Sequence, residues 1–324
     1  MQQETATTFE TQFEEEVHDG LNAFPKRLPS KYFYDEIGDK LFQDIMHMPE
    51  YYLTDAELEI FETHKAEITE RFAADGQPFN LIELGAGDGK KTKILLKQLS
   101  EKNIDFTYEP IDISQNVLDG LESSLHRELP EVKVATQQGT YFEALERINT
   151  DDGTRKVILF LGSNIGNLLH EQAIVFLKHV QDLMQEDDLF FVGLDQKKNP
   201  QTILDAYNDP AGITAEFNKN ILRRINRELE ANFRLDAFLH WEVYDPETGT
   251  AKSYLVSKKR QTVEIKKLDL DVNFEAWETI HTEISQKYDD ATVAWLAEQS
   301  GLQVTHQFAD QANQFKNYIF KKRE

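Results

Sequence analysis

Between residues 79 and 195 the chain alternates short apolar runs with amphipathic stretches, and this constrains the fold more than any other feature. FNLIEL at 79–84 runs into GAGDG at 85–89, followed by KKTKILLKQLS with Ile94, Leu95 and Leu99 on one side. FTYEPIDI (106–113), KVATQQGTY (133–141), KVILFLGSN (156–164) and DLFFVGLD (188–195) read as further strands. Helical text, NVLDGLESSLHREL and HEQAIVFLKHVQDLM, lies between some of them. Strands that alternate with helices at this spacing form a parallel sheet covered on both faces, and the right-handed crossover rule makes it doubly wound. The fold class expected is therefore α/β, with a doubly wound, mostly parallel sheet.

The flanking text differs. Residues 1–55 read as short helices and turns, with Tyr32, Phe33, Tyr34, Phe42, Tyr51 and Tyr52 concentrated between Lys31 and Tyr52. Asp55 to about Ala73 reads as an amphipathic helix capped by Thr54 or Asp55. From Gln196 to about Thr282 helical text precedes strand-like AFLHWEVYD, AKSYLVSKK and QTVEIKKLDLDV, which indicates an α+β unit inserted before the sheet is complete. A helix at 291–300, then LQVTHQFAD and FKNYIFKK, predicts an antiparallel hairpin at the sheet edge. The expected domains are 56–196 with 287–324, holding the cofactor, and 1–55 with 197–286, holding the substrate.

Charge narrows the partners. The formal net charge is −23, and an acidic surface repels the phosphates that Lys and Arg clusters attract, so a small molecule is expected and no nucleic acid. No apolar run approaches bilayer length, and the N-terminal text is polar and acidic rather than signal-like, so neither a membrane nor export is expected. The absence of cysteine removes thiolate metal sites and fits a reducing compartment, hence a cytoplasmic expectation. The nine histidines are scattered without ligand spacing, so no metal site is expected. A monomer is the expected state.

In Glu83-Leu84-Gly85-Ala86-Gly87-Asp88-Gly89 the glycines let the backbone approach a ligand and enter a helix with its amides outward. The run departs from the GxGxxG of dinucleotide sites, and Glu83 suits a cationic amino acid portion better than a diphosphate. Asp112 ends the second strand, placed to accept from ribose hydroxyls. S-adenosylmethionine is the cofactor this favours, and a dehydrogenase is disfavoured. The alternative is a plain turn beside a solvated strand end.

LPSKYFYDEIGDKLFQDIMHMPEYYLTDAE (28–57), LIELGAGDGKKT (81–92), FLGSNIGN (160–167), DAYNDPAGITAEFNKN (205–220), NRELEANFRLDAF (226–238) and TEISQK (282–287) together resemble, in order, segments of the histidine Nα-methyltransferases of ergothioneine biosynthesis. That resemblance covers essentially the whole chain. It implies transfer of three methyl groups to the α-amine of histidine, giving hercynine. It places Gly85, Gly87, Lys91, Asp112, Thr140 and Tyr141 at the cofactor, with Glu83 beside them. It places Tyr51, Asn167, Tyr207, Glu283 and Ser285 at the amino acid, Thr214 near the imidazole, and Tyr34, the catalytic candidate, near the reacting amine.

Glu283 and Ser285 are two apart in a strand, so they share a face and can pair with the two imidazole nitrogens. Strand alternation alone would show that face to water. Ser253 falls where the bacterial histidine enzymes carry a methionine, which opens the side-chain pocket to another amino acid such as tryptophan. A non-catalytic S-adenosylmethionine-binding regulator would be expected to lose the substrate tyrosines and Asn167.

Overall fold

The near-continuous apolar run Phe79–Leu84 has no polar face to offer solvent, and it becomes the strand at the centre of the larger sheet. The structure, a computed structural model, describes residues 9–140, 143, 146 and 153–323. Contacts divide the chain into two units, Tyr52–Lys197 with Gln286–Glu324 and Met1–Tyr51 with Lys198–Ser285.

In the first of these units β2 (Phe79–Leu84) lies between β3 (Phe106–Asp112) and β6 (Arg155–Phe160), parallel to both, with Leu81 level with Tyr108 and Val157. β7 (Leu189–Asp195) continues the parallel set beyond β6. The last strand, β14 (Phe315–Lys322), inserts antiparallel between β7 and β13 (Leu302–Ala309), forming the expected edge hairpin. The stretch expected as one third strand is broken into β4 (Lys133–Val134) and β5 (Gln137–Gln138), both along β3. Between them the ladder lapses without a change of register: Tyr108 is opposite Val134, the Ala135 amide donates to Tyr108 O, and pairing resumes at Ile111 opposite Gln137.

Helices α3 (Leu53–Phe72), α4 (Thr92–Glu101), α5 (Gln115–Glu128), α6 (His170–Leu183) and α9 (Asp290–Gln299) belong to this unit. Ile82, Leu84, Ile158 and Phe190 of the sheet pack with Leu177, Val180 and Leu296 of helices, each buried side chain contributing about 1.5–3 kcal/mol. Helix α3 starts earlier than expected. Tyr52 is its N-cap and makes no side-chain cap bond, while Thr54 and Asp55 fall inside the first turn, where the helix dipole favours an acidic side chain. No helix among the described residues is long and apolar enough to cross a membrane.

The second unit has a four-stranded sheet in the order β1 (Lys26–Arg27), β12 (Thr279–Gln286), β9 (Thr250–Ser257), β8 (Phe238–Asp245), and a separate hairpin of β10 (Gln261–Ile265) and β11 (Leu270–Phe274). Helices α1 (Gln12–Asn22), α2 (Glu36–Met46), α7 (Pro200–Tyr207) and α8 (Ile213–Glu228) belong to it. Its core joins Val17, Phe33, Ile221, Leu255 and Phe274.

Local chemistry fixes the helix starts here. Asn199 accepts from the Gln201 amide ahead of Pro200, whose missing N–H is no loss at a first helical position. Asp35 accepts from the Ile37 and Gly38 amides, from Asn220 and from Arg227. Burial pushes its carboxyl upward, but these donors win and hold it below the usual range. Gly38 has to be glycine, because a Cβ there would lie 1.8 Å from Phe33 O.

Candidate functional site

An aromatic series in the second unit brings several candidate residues together. Tyr34 follows the turn Ser30–Phe33 and sits edge-on to Phe42 and Phe217, at 5.6 and 5.4 Å between ring centres. Phe42 meets Tyr51 at 6.3 Å, and Tyr51 meets Tyr207 at 6.4 Å. Tyr34 remains 39% exposed.

Tyr207 ends α7, and its hydroxyl shares a 2.7 Å hydrogen bond with Ser285 on β12. Two residues back on the same strand, Glu283 Oε2 lies 3.3 Å from Ser253 Oγ. Tyr34, Tyr51, Tyr207 and Ser285 thus form one series, and Glu283 with Ser253 a hydrogen-bonded pair two residues away along β12. Thr214 is buried at the start of α8, where its hydroxyl and amide both donate to Asp209 Oδ1.

The remaining candidates lie in the unit of the larger sheet, at the carboxyl ends of its parallel strands, where open α/β sheets bind ligands. Gly85, Gly87 and Gly89 all have positive φ, so the turn after β2 is one that only glycine adopts freely. A Cβ on Gly87 would meet nothing within 4 Å, so the loop borders open space. Asp112, half-buried at the end of β3, accepts from the Gly87 and Ser114 amides. Glu83 is buried under this loop and accepts from Thr92 at 2.7 Å and from Tyr108. Burial pushes its carboxyl up to about 7, and the Tyr108 and Thr92 hydrogen bonds only partly oppose this.

Lys91 is paired with Glu57. Thr140, exposed, is bonded to Glu143 through its amide and hydroxyl, and Tyr141 lies outside the described residues. Asn167 is exposed at the end of the turn Asn164–Asn167 that follows β6.

These residues fit S-adenosylmethionine: an acidic side chain at the end of the second strand for ribose hydroxyls, and a glycine loop opening onto space beside it. Residues 13–322 match the family described as histidine-specific, S-adenosylmethionine-dependent methyltransferase. The chain belongs to this methyltransferase family.

Histidine N-alpha-methyltransferase of Mycolicibacterium smegmatis is 38% identical over 301 residues, 93% of this chain and 92% of that one. Ergothioneine biosynthesis protein 1 of Schizosaccharomyces pombe is 28% identical over 302 residues, 91% of this chain and 39% of that one. L-tryptophan methyltransferase of Psilocybe serbica is 28% identical over 316 residues, 90% of this chain and 87% of that one.

This methyltransferase also buries polar residues that no sequence motif marks. Glu57, on α3, is wholly buried and accepts from Lys91, from the Gly162 amide at 2.9 Å and from Asn317 at 2.9 Å. It joins the lysine after the glycine loop to the loop after β6 and to the final strand. The available signal was its position on α3, four residues after Leu53 and four before Phe61, on the apolar face.

Asp195, at the end of β7, accepts from Tyr52 and from the fully buried Lys287 at 2.8 Å. In the other unit, His240 Nε2–H donates to Tyr207 O at 2.9 Å, and its Nδ1 accepts from Asn218 at 2.8 Å. Burial pushes the His240 pKa down, which agrees with a neutral ring that donates on one side and accepts on the other. Glu242, two residues along β8, is buried and accepts from Ser253 at 2.7 Å.

Proposed function

We propose that this methyltransferase transfers methyl groups to the α-amine of L-histidine and carries the amine through to the trimethylated product, hercynine. The observation that carries the reading is the two pairs Tyr207–Ser285 and Glu283–Ser253, polar side chains on one strand and its neighbours, in a chain of the histidine-specific family. Gly85, Gly87, Lys91, Asp112 and Thr140 hold S-adenosylmethionine in the unit of the larger sheet, and Tyr141 joins them. Glu83 braces the loop beside it. Glu283 and Ser285 meet the imidazole nitrogens, with Thr214 and Ser253 nearby. Tyr51 and Tyr207 hold the amino acid, and Asn167 is retained as a carboxylate ligand on the family resemblance alone.

When bound, the cofactor supplies an electrophilic methyl group on a sulfonium. The protein's task is then to hold a neutral amine with its lone pair in line, which positioning alone can accelerate greatly. Tyr34 is the residue given the amine. Its hydroxyl oxygen accepts from an amine N–H, which leaves the lone pair free to face the methyl group while water takes the proton that a protonated amine sheds. Ser253 in a polar cluster, beside two carboxylates, favours imidazole over the indole of tryptophan.

Methyl transfer from labelled S-adenosylmethionine to each common amino acid, with product mass read out, tests the reading. Trimethylated histidine as the dominant product is expected, and turnover with a different amino acid in its place overturns it. In Tyr34→Phe the later methylations are expected to slow more than the first, so that mono- and dimethylhistidine accumulate. An unchanged product distribution removes Tyr34 from the mechanism.

A further inference from the structure

Ser253 stands between two carboxylates. Its Oγ is 2.7 Å from Glu242 Oε2 and 3.3 Å from Glu283 Oε2. A serine hydroxyl has one proton and two lone pairs, so it donates in one direction at a time. The shorter contact assigns that proton to Glu242, which lies directly opposite Ser253 in the β8–β9 register. Ser253 Oγ then faces Glu283 as an acceptor, and Glu283 Oε2 stays an acceptor beside it. With Glu242 removed, the same proton would turn to Glu283 and compete there with any ligand N–H.

Glu242 is only 8% exposed, and burying a carboxylate is unfavourable unless its hydrogen bonds are met, so its place on the inner side of β8 calls for a reason. His240, on the same side of the strand, already holds the Tyr207 carbonyl. Glu242 is therefore one hydroxyl away from a residue of the site without belonging to the candidate set.

We propose that Glu242 is a specificity-determining residue that acts through Ser253: by holding the Ser253 proton it keeps Ser253 Oγ and Glu283 Oε2 as adjacent acceptors, selecting amino acids whose side chains present N–H donors. The inference rests on the reading that Glu283 meets the substrate side chain. A site built of acceptors rejects a ring that cannot fill them, because each is then left desolvated and unpaired. Protonated imidazole, the form that neighbouring carboxylates favour, presents an N–H at each nitrogen, and indole presents one.

The test is calorimetric titration of histidine and tryptophan into protein saturated with S-adenosylhomocysteine, for Glu242→Met, Glu242→Gln, Ser253→Ala and the double variant Glu242→Met/Ser253→Ala. Glu242→Met is expected to raise the histidine Kd about tenfold, the effect of one misdirected hydrogen bond, and to lower the preference over tryptophan by the same factor. Adding Ser253→Ala should restore histidine binding to within about threefold of Ser253→Ala alone, since no hydroxyl is left to compete; neighbours that act through each other are non-additive in this way. Glu242→Gln, whose amide oxygen still accepts the proton, should stay within about threefold of wild type.

An unchanged Kd in Glu242→Met overturns the inference, and so does a loss that Ser253→Ala fails to relieve. Glu242→Ala, also lacking the acceptor, stands in if the methionine variant does not fold. Wild-type protein that takes up S-adenosylhomocysteine but binds no histidine would overturn the functional reading as well, whereas histidine binding indifferent to Glu242 would overturn this inference alone.

Discussion

Tyr207 does two things at once: its hydroxyl meets Ser285 while its carbonyl accepts from His240. Removing the hydroxyl therefore tests one contact and leaves the other in place. Tyr207→Phe is expected to raise the KM for histidine by about tenfold, the worth of about 1.4 kcal/mol, with a smaller change in kcat. Steady-state kinetics at saturating S-adenosylmethionine would show it, and a fall in kcat at constant KM would place the hydroxyl elsewhere in the mechanism.

At this scale the sequence was readable where a motif carried the residue, and unreadable where a contact did. Asp112 ends an apolar strand beside a glycine turn, so its place followed from order and spacing. Glu57 finds its partners at 91, 162 and 317, too far along the chain for any local pattern to reveal. Glu242 was hidden differently. In FLHWEVYD the alternation offers Leu239, Trp241 and Val243 as the natural inner face, yet these are exposed while His240 and Glu242 are buried. The inner face is chosen by what it meets, namely Tyr207, Asn218 and Ser253.

Among the elements, β2, β3, β6 and β7 were legible because strands covered on both faces must be apolar throughout, and little else produces such runs. The break between β4 and β5 was not, since a lapse in pairing at unchanged register leaves no trace in hydrophobicity. Nor was the uncapped start of α3, which begins at a tyrosine ahead of two good capping residues. β7 also carries a constraint that only packing discloses. A Cβ on Gly193 would lie 2.1 Å from Glu57 Oε1 and 3.0 Å from the Phe315 ring. Gly193→Ala is therefore expected to destabilise the protein by about 1–3 kcal/mol, the usual effect of overpacking, and to weaken cofactor binding if Lys91 shifts with Glu57. Denaturant unfolding checks the first effect, and a midpoint equal to wild type would mean that Glu57 moves aside freely.

For the molecule as a whole, buried and half-buried titratable groups bound stability from both sides. His170, His240 and His281 all have pKa values pushed below 6.5, with burial the main cause. Below 6.5 the unfolded chain takes up protons that these folded residues refuse, so stability is lost as the pH falls. Glu83 acts in the opposite sense. Its carboxyl titrates at about 7 when folded, against 4.5 for the ordinary group. The unfolded chain releases that proton first, so stability declines as the pH rises from 4.5 through 7. Glu83→Gln is expected to raise the Tm at pH 8 and to leave it nearly unchanged at pH 4. Equal gains at both pH values would show that the charge is not the cause.

The unit that carries Tyr207, Glu242, Ser253 and Glu283 is written in two stretches, Met1–Tyr51 and Lys198–Ser285, with the larger sheet begun between them and finished after them. No single cut of the gene lifts this unit out whole. Recombination can therefore not exchange it as a cassette, and a fusion or truncation at any one point leaves half of it behind. A protein engineer who wants to graft the pocket has to transplant two segments together.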